Sequence, residues 1–178
     1  MIIGIDSNVL TLILSLAARV PEDVTRARER LDELYRQLEV GDIKPLVVST
    51  IVVGEVCSHA EGSWKAYSEQ LQNPRLFRLV DFDIASSVEL QELNKAYYAE
   101  RDPVQEEPFP PFRRKPDRLI AASYKRYQCT HVVTHDKQLG SACRFSGLEV
   151  WDINSLPLPV RPSTRDLFDA TENDDAKE

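Results

Sequence analysis

The sequence predicts an α/β domain in which a central parallel β-sheet is flanked by helices in three layers. Three observations predict it. Five short apolar or β-branched runs of strand length recur along the chain, segments of helical periodicity lie between them, and 178 residues with 42% hydrophobic content suit one compact domain.

The first run is Ile2 to Ile5, followed after Asp6 by an uncharged stretch from Ser7 to Ala18. The clearest helix is expected from Glu22 to Val40, where Val24, Ala27, Leu31, Leu34 and Leu38 recur at spacings of three and four. Pro21, Glu22 and Asp23 suit its first turn and Gly41 its end. Leu46 to Ser49 reads as the second strand and Leu76 to Val80 as the third, with a helix expected across Ala85 to Arg101. From Asp102 to Pro116 five prolines disfavour helix, so a loop with stiff stretches is expected against the rim of the domain. Asp117 to Tyr127 follows as a helix with Ile120, Tyr124 and Tyr127 on one face, and His131 to Thr134 and Leu148 to Trp151 complete the strands. The domain is expected to span residues 1–154. Residues 155–178 form a proline-containing acidic tail with too few apolar residues to offset the entropy of ordering, and are expected to be mobile.

Composition excludes a collagenous, low-complexity or wholly disordered chain. The twelve uncharged residues from Ser7 to Ala18 fall short of the roughly 20 that a bilayer span needs. Asp6 precedes that run and no Lys or Arg occurs until Arg19, which argues against a secretory signal. Cys57, Cys129 and Cys143 are odd in number and lack CxxC spacing, as reduced thiols of a cytoplasmic protein would. Of the net charge of −7, residues 166–178 contribute −5, with six acids and one base, so the total says little about partners.

Four acids fall at informative places. Asp6 ends the first strand and Asp136 follows the fourth. Asp117 opens a helix, and Glu55 lies inside the apolar stretch Ile51 to Cys57. In an open parallel sheet ligands gather outside the carboxyl ends of the strands, so these junctions converge on one crevice. Taken singly, each Asp is as well explained as a helix N-cap. Glu55 is harder to explain that way, because a carboxylate beside Ile51 and Val52 needs a cation or an escape to solvent. Several carboxylates brought together raise one another's pKa unless a divalent ion neutralises them, and hard oxygen donors select Mg²⁺ or Mn²⁺. Metal-assisted phosphodiester hydrolysis is the chemistry such a site suits.

Asp6-Ser7-Asn8-Val9-Leu10 after a short apolar strand, Glu55 in a small apolar helix, Asp117-Arg118-Leu119-Ile120-Ala121-Ala122, and Thr134-His135-Asp136 together resemble the motif series of the PIN-domain family, in order and spacing across residues 1–152. The resemblance extends to VapC-like toxins and related stand-alone PIN domains. It implies Mg²⁺ or Mn²⁺ held by Asp6, Glu55, Asp117 and Asp136, with Asn8 and Thr134 orienting a carboxylate or water. It also implies ribonuclease activity, in which water activated by the metal attacks phosphorus in line and leaves a 3′ hydroxyl. A toxin would have an antitoxin protein as partner, and a second copy of the chain is a further candidate partner; no membrane is expected. The chain is longer than is usual for such toxins.

Arg113, Arg114, Lys115, Arg118, Lys125 and Arg126 set six bases against the single acid Asp117 within residues 113–126, a pattern that suits RNA phosphates, with Phe109 and Phe112 offering faces for stacking. Arg113, Arg114, Lys115 and Arg118 are the expected RNA contacts. A solvated charge run explains the same residues. His131 reads as structural and His135 as a loop residue within reach of a phosphate. No GxSxG or GxxxxGK[ST] occurs, which sets serine hydrolase and P-loop readings aside. A phosphatase of the DxDx[TV] type is disfavoured because Asn8 stands where its second Asp belongs. The remaining alternative to a nuclease is a non-catalytic module that binds RNA or protein through the same crevice.

Overall fold

The computed structural model describes residues 1–60, 62–99 and 115–159, with Tyr97, Tyr98 and Lys115 described through their backbones alone. Five strands, β1 (Ile3–Ile5), β2 (Leu46–Ser49), β3 (Phe77–Val80), β4 (His131–Val133) and β5 (Glu149–Trp151), form one sheet. All pairings are parallel and the order is β3-β2-β1-β4-β5. Helices α1 (Ser7–Leu14), α2 (Ala27–Glu39), α3 (Thr50–His59), α4 (Trp64–Leu71), α5 (Ile84–Ala99), α6 (Lys115–Arg126) and α7 (Lys137–Phe145) connect them, and a 3-10 turn follows at Ile153–Ser155.

β1 and β2 are buried at every residue because helices cover both faces of a parallel sheet, which is why these strands read as unbroken apolar runs. From β1 the chain winds outward through β2 to β3. It then returns to the other side of β1 to lay down β4 and β5, so the direction of winding reverses between β1 and β4. The carboxyl ends of these two strands therefore part and leave a crevice, the usual ligand position in such sheets.

One close approach holds α6 to the centre of this sheet. A Cβ added to Gly4 in β1 would lie 2.8 Å from the ring of Tyr124, and that fully buried ring donates its hydroxyl to the Ile5 carbonyl. Only glycine leaves room for the aromatic ring against the strand.

The strands lie where the sequence places them to within one residue. The helix expected from Glu22 instead begins at Ala27, because Arg26 adopts a left-handed conformation (φ 54°). Residues 23–25 are held out of the helix by Asn154: its side chain accepts from the Thr25 N–H at 2.9 Å and donates to the Asp23 carbonyl at 3.2 Å. The other end follows expectation, with Gly41 at φ 80° just past the last turn. α6 begins at Lys115, two residues before the expected start, with Pro116 in the first turn where its missing N–H costs nothing. The rest of the proline-rich segment, 102–114, lies outside the described residues.

The packed chain continues past residue 154. Leu156 is buried, and Arg30 donates a hydrogen bond to its carbonyl. Residues 160–178, the bulk of the expected tail, lie outside the described residues. Among the described residues no helix is long and apolar enough to cross a membrane.

Two glycines should respond oppositely to the same change. Gly4→Ala overpacks the Tyr124 ring and is expected to destabilise by about 1–3 kcal/mol in urea unfolding. Gly54→Ala, in α3 where a Cβ meets no atom within 4 Å, should stabilise by up to ~1 kcal/mol.

Candidate carboxylate site

Asp6 leaves β1 at the crevice and caps α1. Its Oδ1 accepts from the Ser7 N–H at 2.6 Å and from the Ser7 hydroxyl at 3.2 Å, while its Oδ2 accepts from the Thr134 hydroxyl at 2.8 Å. Asp6 is only 3% exposed. Thr134, at the end of β4, also accepts from the Asp136 N–H at 2.9 Å, so one hydroxyl ties the two strand ends together across the switch point. Asp136 in turn caps α7, its Oδ1 accepting from Gln138 N–H at 2.6 Å and Leu139 N–H at 3.1 Å.

The other two acids ride on helices. Glu55 is half-buried on α3, which starts directly from β2 with Ser49 as its cap. Asp117 is half-buried in the first turn of α6, where its charge also suits the helix dipole.

The four acids are close enough to feel one another. Burial raises the Asp6 carboxyl above the usual range against the pull of its hydrogen bonds to Thr134 and Ser7, with the charge of Asp136 adding to the rise. Burial raises Glu55 as well; a hydrogen bond with Ser7 lowers it, and the charges of Asp6 and Asp136 raise it further. Asp117 is pushed up to about 7, first by burial and then by Asp136, Glu55 and Asp6 in turn, with Arg118 opposing. A carboxyl that titrates near neutrality marks a place where negative charge is crowded.

The donor set suits a hard divalent cation, since it is all carboxylate oxygen and carries excess charge that a cation would neutralise. Among the described residues, no three carboxylates, imidazoles or thiols stand close enough to form a ready-made coordination shell. Type and charge fit the ion; the spacing leaves a shell still to be closed.

The expected supporting residues divide. Thr134 contacts Asp6, whereas Asn8 is exposed on α1 and bonds no carboxylate among the described residues. Ser7 fills the place expected of Asn8, standing between Asp6 and Glu55. The sequence offered a signal for it, since the residue after an N-cap Asp lies beside the carboxylate it caps.

The basic run also divides. Arg118 is largely buried and acts on Asp117. Lys125 and Arg126 sit about 12 Å or more along the same helix, facing α5, where Lys125 pairs with Glu89 and Arg126 with Asp83 at 3.6 Å each. They are not beside the acids, as a linear charge count suggests. Arg113, Arg114, Phe109 and Phe112 lie outside the described residues, as does the Lys115 side chain. His135 is not a loose loop residue: its Nδ1 lies 2.7 Å from Asp152 and its Nε2 3.1 Å from Asp23, and the bond to Asp152 raises its pKa. His131 packs on the Trp151 ring and pairs with Glu149, a structural role. All three cysteines are free, Cys129 and Cys143 within the core.

The strand order and the acids at the reversal define a doubly wound α/β domain with a carboxylate crevice. The chain belongs to the PIN-domain family, whose pattern it matches over residues 3–144. Among solved structures it is similar to VapBC2 from Rickettsia felis bound to a DNA fragment from its promoter, with a TM-score of 0.56 and 13% identity over 85% of this chain and 98% of that one. It is likewise similar to DNA-bound VapBC from Salmonella typhimurium, with a TM-score of 0.54 and 14% identity over 86% and 98%. No curated protein matches it.

The titration of Asp117 fixes the sign of a stability test. With a folded pKa of about 7 against an ordinary 3.8, the native state keeps a proton that the unfolded chain has lost. Asp117 therefore costs stability progressively as pH rises from about 4 to 7, and the cost is constant above that. In EDTA, Asp117→Asn should raise Tm at pH 8 by a few degrees and lose that advantage towards pH 4. A variant that melts at or below the wild type at pH 8 would contradict the crowding.

Proposed function

We propose that this protein is a Mg²⁺- or Mn²⁺-dependent endoribonuclease and the toxin of a toxin–antitoxin pair. The observation that carries the nuclease reading is the nearness of Asp6, Glu55, Asp117 and Asp136 at one side of the sheet, where burial first and then the charges of the other three raise Asp117 to about 7. Membership of the PIN-domain family supports the reading, and the likeness to the VapBC structures supports the toxin role and an antitoxin partner.

Asp6, Glu55, Asp117 and Asp136 would hold the ion, which when bound supplies a polarised water and neutralises charge developing on the phosphoryl group. Asp6 is held rigidly by Ser7 and Thr134, so its oxygens cannot swing away from the crevice. Thr134 fixes Asp136 through the backbone, and Ser7 donates its hydroxyl to Asp6 and lowers the Glu55 pKa. Arg118 opposes the charge at Asp117 and lies beside the path an RNA phosphate would take to the acids.

Incubation with mixed RNA in Mg²⁺, Mn²⁺ or EDTA tests the reading. Cutting should require the metal and should fall at least about a hundredfold in Asp6→Asn and Asp117→Asn. Mn²⁺ should raise the wild-type melting point, with a much smaller rise in both variants. Equal rises in all three proteins would remove the shared metal site, and a Mn²⁺ response without RNA cutting would favour the non-catalytic alternative. For the toxin role, induced wild-type protein should arrest growth and Asp117→Asn should not.

A further inference from the structure

A cavity of about 270 Å³ lies between α5, α6 and α7, and Asp117 forms part of its lining. Its apolar walls include Leu93 of α5, which is buried, and the half-buried ring of Phe145 of α7. Its polar lining comes from Asp117 and Arg118 of α6 and from α7, where Lys137, Gln138 and Ser141 are all exposed. Gln138, Ser141 and Phe145 fall at i, i+3 and i+7, one face of the helix.

We infer that this cavity is a base-binding subsite that takes one nucleobase of the RNA beside the phosphate to be cut. The inference rests on the nuclease reading and adds to it a determinant of sequence preference. A nucleobase has apolar faces and a hydrogen-bonding edge. The cavity offers the same division: apolar walls from Leu93 and Phe145, and an amide and a hydroxyl at Gln138 and Ser141 able both to donate and to accept. Lys137 adds a cation where the sugar-phosphate chain would leave the cavity. Because Asp117 belongs both to the cavity and to the acid cluster, a base seated there lies next to the reacting phosphate. The exposed Lys137, Gln138 and Ser141 in the lining favour a ligand with a polar edge over an apolar peptide segment.

The test has a binding arm and a cutting arm. In EDTA, the four ribonucleoside 5′-monophosphates are titrated into ¹⁵N-labelled protein, with ribose 5-phosphate and an apolar peptide as controls. At least one nucleotide should shift the amides of Gln138, Ser141 and Phe145, and ribose 5-phosphate should not. Ser141→Phe, at an exposed position where a larger side chain fills the cavity, should weaken that binding about tenfold or more while leaving the melting point near wild type. On mixed-sequence RNA, Gln138→Ala should relax the base preference beside the cut by about tenfold. The inference fails if no nucleotide shifts these amides, if ribose 5-phosphate shifts them equally, or if the peptide alone does. It also fails, with the nuclease reading intact, if RNA is cut with the same base preference in wild type and both variants. Nucleotide binding blocked by Ser141→Phe, in a protein that cuts no RNA, would instead overturn the nuclease reading and, with it, the placing of this subsite beside a reacting phosphate.

Discussion

The seating of Tyr124 against Gly4 governs the geometry of this domain. Tyr124 is seven residues beyond Asp117, about two turns along α6, so the two side chains share a face of the helix. The ring reaches β1 only because Gly4 carries no side chain, and its hydroxyl is fastened to the Ile5 carbonyl, one residue before Asp6. The distance between the acid that ends β1 and the acid that opens α6 is therefore set by a packing contact in the core. Glycine within a strand ordinarily weakens it; here it defines how closely a helix may approach.

The acids serve the fold and the site together. Asp6 and Asp136 are helix caps, and a cap does not by itself use up a carboxylate, which has two oxygens. Asp136 uses Oδ1 for α7 and accepts no bond at Oδ2 among the described residues. Asp6 uses both, one for Ser7 and one for Thr134, which favours its ionised form despite deep burial. Among the described residues no hydrogen bond relieves Asp117, whose pKa Arg118 lowers and burial and the other acids raise to about 7. The structure thus divides the work: two acids fixed by backbone and hydroxyl donors at the strand ends, two carried in by helices.

What could be read in the sequence follows from how local the cause is. The strands were legible because a sheet covered on both faces needs consecutive apolar residues, as in Val47-Val48. The positions of Asp6 and Asp136 were legible because junctions after strands have a known destination in a doubly wound sheet. The start of α2 was not, because Asn154, some 130 residues away, holds Thr25 and Asp23 in a turn that the periodicity of Val24 and Ala27 conceals. Ser7 and Asn8 are adjacent polar residues, and the capping role of Asp6 is the signal that Ser7 is the one that meets it. The basic run misled for a similar reason: counting charges along the chain ignores that Lys125 and Arg126 lie at the far end of α6, facing Glu89 and Asp83. The cavity beneath α7 had no sequence signature, since Gln138, Ser141 and Phe145 acquire meaning only when Leu93 of α5 closes the opposite wall.

Crowded carboxylates are a strained arrangement that stability alone would not retain, and functional sites commonly carry that cost. A proton on Asp117 relieves it by removing one charge, and with its pKa raised to about 7 that relief is lost as pH rises through neutrality. Rigid anchoring of Asp6 and Asp136 matters here, because acids free to swing into solvent would relieve the repulsion without any cation. Thr134 and Ser7, which carry no charge, thereby keep the charged residues crowded.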